Sequence, residues 1–285
     1  MIIVKLDGGM GNQLFQYALG KYLSVKLKAV LKLDRDRYLN NKQRQYSLDH
    51  FNMKPTFSTV HEKKRLKRKE YLRRKFARIG FPIQAYWCTE EYPGYHDYVQ
   101  QLTDNVYLEG FWQSEKYFKP IENIIRSEFV IKTPPSAMNA RYMERIHSVN
   151  AVAVHIRRGD YVSDSVTNAV HGVCDTSYYS EAVTRMASEV RNPSFFIFSD
   201  DMRWTMENVV ITHYPATYVD HNTDAAHEDL RLMYSCKHHI IANSSFSWWG
   251  AWLNDSAEKK VIAPKQWFRS IITNNDIIPE GWQTI

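Results

Sequence analysis

Two stretches of the 285-residue chain alternate short apolar runs with segments of helical periodicity, and this alternation constrains the fold more than any other feature. In the first stretch, apolar runs at residues 2–6 and 29–33 flank a segment, residues 14–25, whose apolar side chains recur at helical spacing. A strand, a glycine-rich turn, a helix and a second strand in this order open a right-handed βαβ unit. We therefore predict a parallel sheet flanked by helices, with Asn12 capping the first helix.

The same alternation returns after residue 150. Residues 151–156 are continuously apolar, as expected for a parallel strand buried on both faces. Beyond them the pattern predicts helices at 178–190, 227–236 and 248–253, and strands at 194–198, 239–242 and 261–263. We predict an α/β fold of two Rossmann-like domains, residues 1–145 and 146–285, facing a central cleft. The aromatic stretch at 80–118 predicts irregular structure.

The positive charge of the chain, +6 overall, is concentrated in one segment. Residues 61–79 hold ten Lys or Arg and two Glu, whereas the other residues hold 27 Lys or Arg and 29 Asp or Glu. The segment predicts a helix in the first domain, with Leu72, Phe76 and Ile79 as its apolar stripe. Two interpretations stay open: a solvated surface helix, or a helix that rests on the anionic lipids of an inner membrane.

Composition and segment length indicate the class of protein and its compartment. Hydrophobic residues at 44% and charged residues at 24% are typical of globular proteins and exclude a disordered or collagen-like chain. No apolar run is long enough to span a bilayer, and the apolar start is too short for a signal peptide. Three widely spaced cysteines without a C-x-x-C pair indicate reduced thiols. We expect a cytoplasmic protein, peripheral at the inner membrane if 61–79 binds lipid.

The most informative motif is HIRRGD at 155–160, which begins where the 151–156 strand ends. Ligands of open α/β sheets bind at that edge. The adjacent guanidinium groups of Arg157 and Arg158 are satisfied together by a pyrophosphate, through charge-assisted bonds. Gly159 lets the backbone approach a ligand, and Asp160 is placed to orient one guanidinium. The alternative is a surface arginine pair bridged to nearby acids.

Two other strand ends carry polar residues. Residues 243–247, NSSFS, follow one strand and precede a helix, where hydroxyl groups and free amides can bind an anion or simply cap the helix. Asp200 and Asp201 follow another strand. A carboxylate there can accept hydrogen bonds from the N–H groups of a guanine or the hydroxyl groups of a ribose, or it can cap the next helix. Because all three motifs fall on strand ends of one predicted sheet, we expect them to lie together.

The loop Gly8–Gln13 suggests a nucleotide-binding turn but lacks the third glycine of G-x-G-x-x-G and the lysine of a P-loop. Its backbone, with the amides of Asn12 and Gln13, can approach a ligand that faces the other domain. The alternative is a tight strand-to-helix turn.

Two patterns could hold a metal ion. Asp34-Arg35-Asp36 is formally the D-x-D of metal-dependent sugar-nucleotide transferases, but it is short and lies among arginines. His238 and His239 lie near Cys236, yet neighbouring residues of a strand point to opposite faces. We therefore expect no metal site.

Taken together, the motifs resemble a known family. GGMGNQLFQYALG at 8–20, LEGFWQSEKYF at 108–118, VHIRRGDYV at 154–162, FIFSDD at 196–201 and IIANSSFSWWGAWLN at 240–254 occur in this order and are similar to the bacterial α-1,2-fucosyltransferases of glycosyltransferase family eleven. The resemblance covers nearly the whole chain. HIRRGD together with SSFSWWGAW is its most specific part.

This resemblance implies a GT-B-like fold and an inverting transfer of L-fucose from GDP-fucose to the 2-hydroxyl of a terminal β-galactose. The expected substrates are GDP-fucose and a galactose-terminated oligosaccharide, which could be lipid-linked as in O-antigen biosynthesis. No metal, other cofactor or nucleic acid is implied.

The resemblance also implies roles for individual residues. Arg157 is similar to the arginine that contacts the β-phosphate of the donor. The flanking members of the donor motif are His155, Arg158 and Asp160. The acid for guanine or ribose is Asp200 or Asp201, and the second phosphate-binding turn is Ser244, Ser245 and Phe246. The acceptor-side loop comprises Gly9, Gly11, Asn12 and Gln13.

The base that takes the proton of the acceptor hydroxyl is not settled by the motifs. Asp160 is a candidate by position, although it could instead orient an arginine, and Asp7 and Glu115 are further candidates. Three other functions stay open on the residues alone: a different glycosyltransferase, a nicotinamide-dependent oxidoreductase, and a nucleic-acid-binding module built on residues 61–79.

Overall fold

The computed structural model describes residues 1–39, 44–77, 85–269 and 275–285. The chain divides into two compact units: unit 1 comprises Met1–Val130 and Thr273–Pro279, and unit 2 comprises Ile131–Ile272 and Glu280–Ile285. The domain boundary expected between residues 145 and 146 stays a prediction. By compactness residues 131–145 group with unit 2, because the helix Ala137–His147 packs on the helix Ala226–Ser235.

Unit 1 contains a parallel sheet that has four strands in the described residues, in the order β2-β1-β4-β3. These strands are β1 (Ile2–Lys5), β2 (Leu31–Asp34), β3 (Trp87–Thr89) and β4 (Val106–Glu109). Its helices are α1 (Met10–Leu27), α2 (Asp36–Leu39), α3 (Val60–Ala77) and α4 (Glu122–Glu128). Short 3₁₀ turns lie at Leu48–His50, Asp97–Gln101, Glu115–Tyr117, Lys119–Ile121 and Asn275–Ile277.

The opening βαβ unit is confirmed, and two details of unit 1 differ from the prediction. The irregular structure expected at 80–118 is wrong at β3 and β4, which are too short, at three and four residues, to show a recognisable period; residues 80–84 lie outside the described part of the chain. Asn12 does not cap α1, because the helix begins at Met10 and Gly9 is its N-cap. The predicted helix at 61–79 is α3, and its last two predicted residues, Arg78 and Ile79, lie outside the described part of the chain.

Unit 2 contains a second parallel sheet, with six strands in the described residues and the order β10-β9-β8-β5-β6-β7. The strands are β5 (Asn150–Ile156), β6 (Pro193–Ser199), β7 (Ala216–Tyr218), β8 (His238–Ile240), β9 (Val261–Ala263) and β10 (Gln283–Thr284). The helices are α5 (Ala137–His147), α6 (Gly159–Ser163), α7 (Ser165–His171), α8 (Thr176–Glu189), α9 (Met202–Asn208), α10 (Ala226–Ser235) and α11 (Ser245–Leu253).

Strand β5 lies inside this sheet and is covered by helices on both faces, which explains its continuous apolar sequence. On one face Val152 and Val154 belong to a buried cluster with Met186 of α8. On the other face Ala151 and Ala153 belong to a cluster with Leu232 and Met233 of α10. Burial of each large apolar side chain contributes about 1.5–3 kcal/mol. The packing on both faces therefore fixes the carboxyl end of β5, where the HIRRGD motif begins.

In the described residues, no helix combines the length and apolarity that crossing a bilayer requires. The most apolar helix, α11, instead buries Trp248, Trp249 and Trp252 inside unit 2. The three cysteines are free thiols.

Candidate functional site

The three strand-end motifs of unit 2 lie side by side, as the sequence predicts. Strand β5 is hydrogen-bonded to β6 on one side and to β8 on the other, all in parallel. Their carboxyl ends therefore meet at one edge of the sheet, with Arg157 after β5, Asp200 after β6 and Ser244 beyond β8.

Arg157 is held by carboxylates on both sides. Its Nη1 donates to Oδ2 of Asp200 at 2.5 Å, and its Nη2 donates to Oδ1 of Asp160. The guanidinium also lies over the ring of Tyr161, 5.1 Å from its centroid. These two hydrogen bonds use two of the five guanidinium N–H donors, which leaves three for a ligand. Arg157 is thus preorganised, and its side chain is about one-fifth exposed.

Arg158 is fixed by different contacts. Its backbone N–H donates to Oδ1 of Asp200 at 2.8 Å, and its Nε donates to Asp201 at 3.4 Å. Its guanidinium stacks over Trp204 of α9, with Cζ 3.5 Å from the ring centroid. The two arginines are therefore bridged to acids, as the alternative interpretation expects. These acids follow two neighbouring strands, Asp160 after β5 and Asp200 and Asp201 after β6, and they hold both guanidinium groups at the edge of the sheet.

Gly159 is required by the closeness of Asp200. A Cβ atom at residue 159 would lie 2.4 Å from Oδ2 of Asp200, a distance that real Cβ contacts essentially never show. The absence of a side chain is what allows the carboxylate to reach both Arg157 and the backbone of Arg158.

The two aspartates after β6 have different positions. Asp201 is the N-cap of α9, and its Oδ1 accepts from the N–H of Trp204 at 3.2 Å, as the capping alternative expects. Asp200 instead has both oxygens on the arginine pair. The role of either acid toward guanine or ribose stays a prediction.

His155 and Phe246 are brought together beneath this edge. Their rings lie 5.5 Å apart, and His155 is only 5% exposed. Burial, reinforced by the charge of Arg157, lowers the pKa of His155 to about 3, so the imidazole is neutral at physiological pH. Among the described residues its buried Nδ1 has no hydrogen-bond partner. A buried polar atom without a partner is costly, and a water molecule beside the ring would satisfy it.

The turn before α11 has the geometry of an anion site. Ser244 is the N-cap of this helix, but its side chain makes no capping hydrogen bond, so the capping alternative does not account for it. The first N–H groups of an α-helix have no partner within the helix and favour negative charge. Ser244, Ser245 and these amides can together bind a phosphate.

Several contacts behind the site were not predicted from the sequence. The ring of Tyr161 stacks on His171 at 4.7 Å, and its hydroxyl donates to the carbonyl of Asn243 at 3.2 Å. The Asn243 amide donates to the carbonyl of His171 at 2.9 Å. This network ties α6 and α7 to the turn after β8. Tyr161 lies within the VHIRRGDYV motif, but its contacts were not predicted; no local pattern marks His171 or Trp204, whose partners Asn243 and Arg158 are distant in sequence.

An open cavity of about 510 Å³ adjoins this network. Its lining includes His171, Cys174, Tyr178, Asn243, Lys265 and Arg269. Burial raises the pKa of Cys174 to about 11, so its thiol is protonated at neutral pH and donates to Oδ1 of Asn243.

A further acid with a perturbed pKa lies in α10. Burial, opposed by a hydrogen bond from Asn222 and reinforced by Glu228, raises the pKa of Asp229 to about 7. Nδ2 of Asn222 donates to this carboxyl group at 2.9 Å. A group with such a pKa can exchange a proton near neutral pH. The sequence did not single out Asp229, because burial of a helical acid cannot be read locally.

The predicted acceptor-side residues lie in unit 1. Gly9 is the N-cap of α1, Gly11 is buried in its first turn, and Oδ1 of Asn12 accepts from Gln113 at 2.8 Å. Gln13 is fully buried: its Nε2 donates to the carbonyls of Gly8 and Gln45, and its Oε1 accepts from Ser47. Gln13 therefore holds the loop together, and its amide is occupied by backbone groups.

The two patterns considered for metal binding have other partners. Nζ of Lys63 lies between Asp34 and Asp36 and bonds to both, which favours an ion-pair interpretation of the D-x-D pattern. His238 and His239 are buried in β8, and Nδ1 of His238 accepts from the N–H of Lys260. Among the described residues, no group of three His, Cys, Asp or Glu side chains is arranged to hold a metal ion.

The acids considered as the base also have partners. Oδ1 of Asp7 accepts from the N–H of Gly8 and pairs with Arg37. Glu115 pairs with Lys119. Asp160 bonds to Arg157, which is the orienting position considered for it.

Comparison with known proteins identifies the family. The family model described as glycosyl transferase family 11 matches residues 1–285. An α-1,2-colitosyltransferase of Escherichia coli is 34% identical over 100% of this chain and 99% of its own length. The O-antigen biosynthesis glycosyltransferase WbnK of Escherichia coli is 30% identical over 92% of this chain and 93% of its own length. A galactoside α-(1,2)-fucosyltransferase 1 of Rattus norvegicus is 27% identical over 70% of this chain and 58% of its own length.

A solved structure shows the fold. A point mutant of FUT1 from Arabidopsis thaliana, in complex with GDP, matches 98% of this chain and 72% of its own length. The TM-score is 0.52 at 11% identity. The predicted α/β, GT-B-like fold class is confirmed.

Proposed function

Since the chain belongs to glycosyl transferase family 11, we propose that it transfers L-fucose from GDP-fucose to the 2-hydroxyl of a terminal β-galactose, with inversion and without a metal ion. The names of its relatives support a transfer to a 2-hydroxyl, and one of them supports an O-antigen glycan as the acceptor. Family membership favours this proposal over the oxidoreductase and the nucleic-acid-binding module considered from the sequence.

The observation that carries the proposal is the preorganised Arg157. In the reaction, the acceptor oxygen forms a bond to the anomeric carbon of fucose. The bond from that carbon to the β-phosphate oxygen breaks, and its electron pair stays on GDP. Negative charge therefore develops on the diphosphate. A guanidinium already held by Asp160 and Asp200 can stabilise this charge without reorganising, which is the most effective form of electrostatic catalysis.

The remaining residues at the sheet edge would hold the rest of the donor. The Ser244–Ser245 turn and the amides of α11 would bind the second phosphate. Neutral His155, which packs against Phe246 beneath the sheet edge, would support the donor-binding turn from below. Asp160, which bonds to Arg157, would orient that guanidinium, and the proton of the acceptor hydroxyl would leave to a different base.

A direct test is transfer from GDP-fucose to a β-galactoside, with and without EDTA, followed by linkage analysis of the product. We expect a 1→2 linked α-fucoside and no effect of EDTA. Arg157→Ala should lower kcat by about 100- to 1,000-fold, the range seen when one preorganised oxyanion donor is removed. The matched control is Arg185→Ala, which should leave kcat unchanged. Arg185 is an exposed residue of α8, and its ion-pair partner among the described residues is Glu181. A different linkage, or normal turnover by Arg157→Ala, would contradict the proposal.

A second donor belongs in the same assay, because a colitosyltransferase is similar to this chain over its whole length. Colitose is fucose without the 3-hydroxyl group. A site that hydrogen-bonds a substrate hydroxyl rejects the analogue that lacks it by about 10⁴- to 10⁵-fold. The ratio of kcat/KM for GDP-fucose and GDP-colitose therefore decides between the two donors, and a ratio strongly in favour of GDP-colitose would replace fucose in the proposal.

A further inference from the structure

Both acidic residues of helix α3 have partners within unit 1. Glu62 bonds to Lys32 of β2 and accepts from the N–H of Thr59. Glu70 is 5% exposed and accepts from Arg73, from Arg74 and from the backbone of Tyr86. The negative charge of this helix is therefore neutralised on the side that packs on unit 1.

The outward side of α3 is basic. Six basic residues are exposed and have no carboxylate within ion-pair distance among the described residues: Lys64, Arg65, Lys67, Arg68, Lys69 and Lys75. A helix of this length extends for about 27 Å. So many like charges along one surface repel one another, and an anionic partner would relieve the repulsion.

Three large apolar side chains lie among these basic residues. Tyr71, Leu72 and Phe76 are 69%, 40% and 45% exposed. Leu72 and Phe76 are four residues apart and so lie on one side of the helix, together with Arg68, which lies four residues before Leu72. We call the side chains Arg65, Arg68, Lys69, Leu72 and Phe76 the outer face of α3.

The combination of charge and apolar groups selects the kind of partner. Exposed cations with apolar side chains beside them are typical of helices that lie in the interface of a membrane. Single-stranded nucleic acid would instead need aromatic rings on which bases stack along a groove, and an aliphatic side chain such as Leu72 offers no stacking surface.

We propose that the outer face of α3 docks on the surface of a bilayer that contains anionic phospholipids. The basic side chains contact head-group phosphates, and Leu72 and Phe76 enter the boundary between head groups and acyl chains. This surface lies in unit 1, outside the donor motifs, and its function is independent of the transfer reaction. It would hold the enzyme beside acceptors that are themselves lipid-linked.

Co-sedimentation of the full chain with vesicles tests the proposal. We expect binding to vesicles of equal parts phosphatidylcholine and phosphatidylglycerol, and little binding to phosphatidylcholine alone. The triple variant Arg65→Gln, Arg68→Gln, Lys69→Gln should bind on the order of 100-fold more weakly, since each basic side chain near an anionic surface contributes about fivefold. The matched control is Arg141→Gln, Arg185→Gln, Arg203→Gln, which removes three exposed arginines from helices of unit 2 and should bind as the parent chain does.

A second variant separates lipid from other polyanions. Leu72→Ser with Phe76→Ser keeps every charge, and we expect weaker vesicle binding with unchanged binding to heparin. Equal binding to both kinds of vesicle, or binding unaffected by the triple variant, would overturn the proposal. So would tighter, salt-sensitive binding to single-stranded RNA that does not respond to Leu72→Ser with Phe76→Ser.

The transfer assay on a soluble galactoside, without vesicles, is run on the same proteins. The triple variant should keep the kcat/KM of the parent chain, which also shows that it is folded. Failure of docking leaves this activity in place, whereas failure of the proposed function removes it from the parent chain too, so the two outcomes are distinguishable.

Discussion

Gly159→Ala tests whether the position of one carboxylate controls Arg157. The added methyl group would lie 2.4 Å from Oδ2 of Asp200, and 3.1 Å from its Cγ. The carboxylate must therefore move. Asp200 then loses its 2.5 Å bond to Arg157 or its 2.8 Å bond to the backbone of Arg158, or both. Asp160 still holds one side of the Arg157 guanidinium, so the arginine is displaced and not released.

The expected cost follows from this geometry. A displacement of about 1 Å in a positioned catalytic group can cost on the order of 100-fold in rate. We expect kcat/KM for GDP-fucose to fall by about that factor, less than for Arg157→Ala, because the guanidinium is still present. Stability should change little, since Gly159 lies at the start of the short helix α6 and is not part of the buried core.

The assay is initial-rate transfer to a β-galactoside, with thermal unfolding measured on the same sample. Gly20→Ala is the contrasting control, because its methyl group would meet Val4 at 2.5 Å and Leu31 at 2.7 Å inside unit 1. Overpacking of this kind costs about 1–3 kcal/mol of stability, and the folded protein should keep its kcat/KM. An unchanged kcat/KM in folded Gly159→Ala would refute the reasoning that Asp200 positions Arg157.

Three further changes test other parts of the structure. Asp160→Asn should lower kcat/KM about tenfold and leave its pH profile unchanged, because the amide oxygen still accepts a hydrogen bond from Arg157. If Asp160 were the general base, kcat/KM would instead fall by about 10²- to 10⁴-fold. Glu70 is buried, yet the hydrogen bonds that it accepts lower its pKa from 4.5 to about 2. The ionised carboxylate therefore stabilises the fold above pH 4.5, and this contribution is lost as the pH falls toward 2. Glu70→Gln should therefore lower the free energy of unfolding at pH 7 by about 1.5–3 kcal/mol and flatten its dependence on acidic pH, as measured by urea unfolding; an equally steep pH dependence would contradict this. Lys63→Ala removes the cation that pairs with Asp34, which keeps its bonds from Tyr107 and from the N–H of Asp36, so the loss should be about 1.5–3 kcal/mol. Adding Asp34→Asn should restore part of this loss, and additive losses in a double-mutant cycle would show that the two groups do not interact.

The three strand-end motifs were predictable because strand ends are a local signal. Each of the three motifs follows an apolar run, and parallel neighbours must place their carboxyl ends at one edge. The sequence could not decide between alternatives that differ only in side-chain partners. Asp201 caps α9 and Ser244 does not cap α11, although both are residue types that favour this position. Gln13 is turned into its own loop by bonds to Gln45 and Ser47, which lie 32 and 34 residues away.

What the sequence by itself determined is the alternation of strands and helices, the family motifs and the placement of charge in one helix. These three features depend on residue type and spacing alone, both of which can be read from the sequence. Only the tertiary structure decided which carboxylates hold Arg157, that Trp204 and Tyr161 lie against the arginine pair, and that Leu66 and Glu70 of α3 are buried while Arg68, Leu72 and Phe76 are exposed. The physical reason is that hydrogen bonds and burial act over a few ångströms in space, between residues that the chain separates by tens of positions.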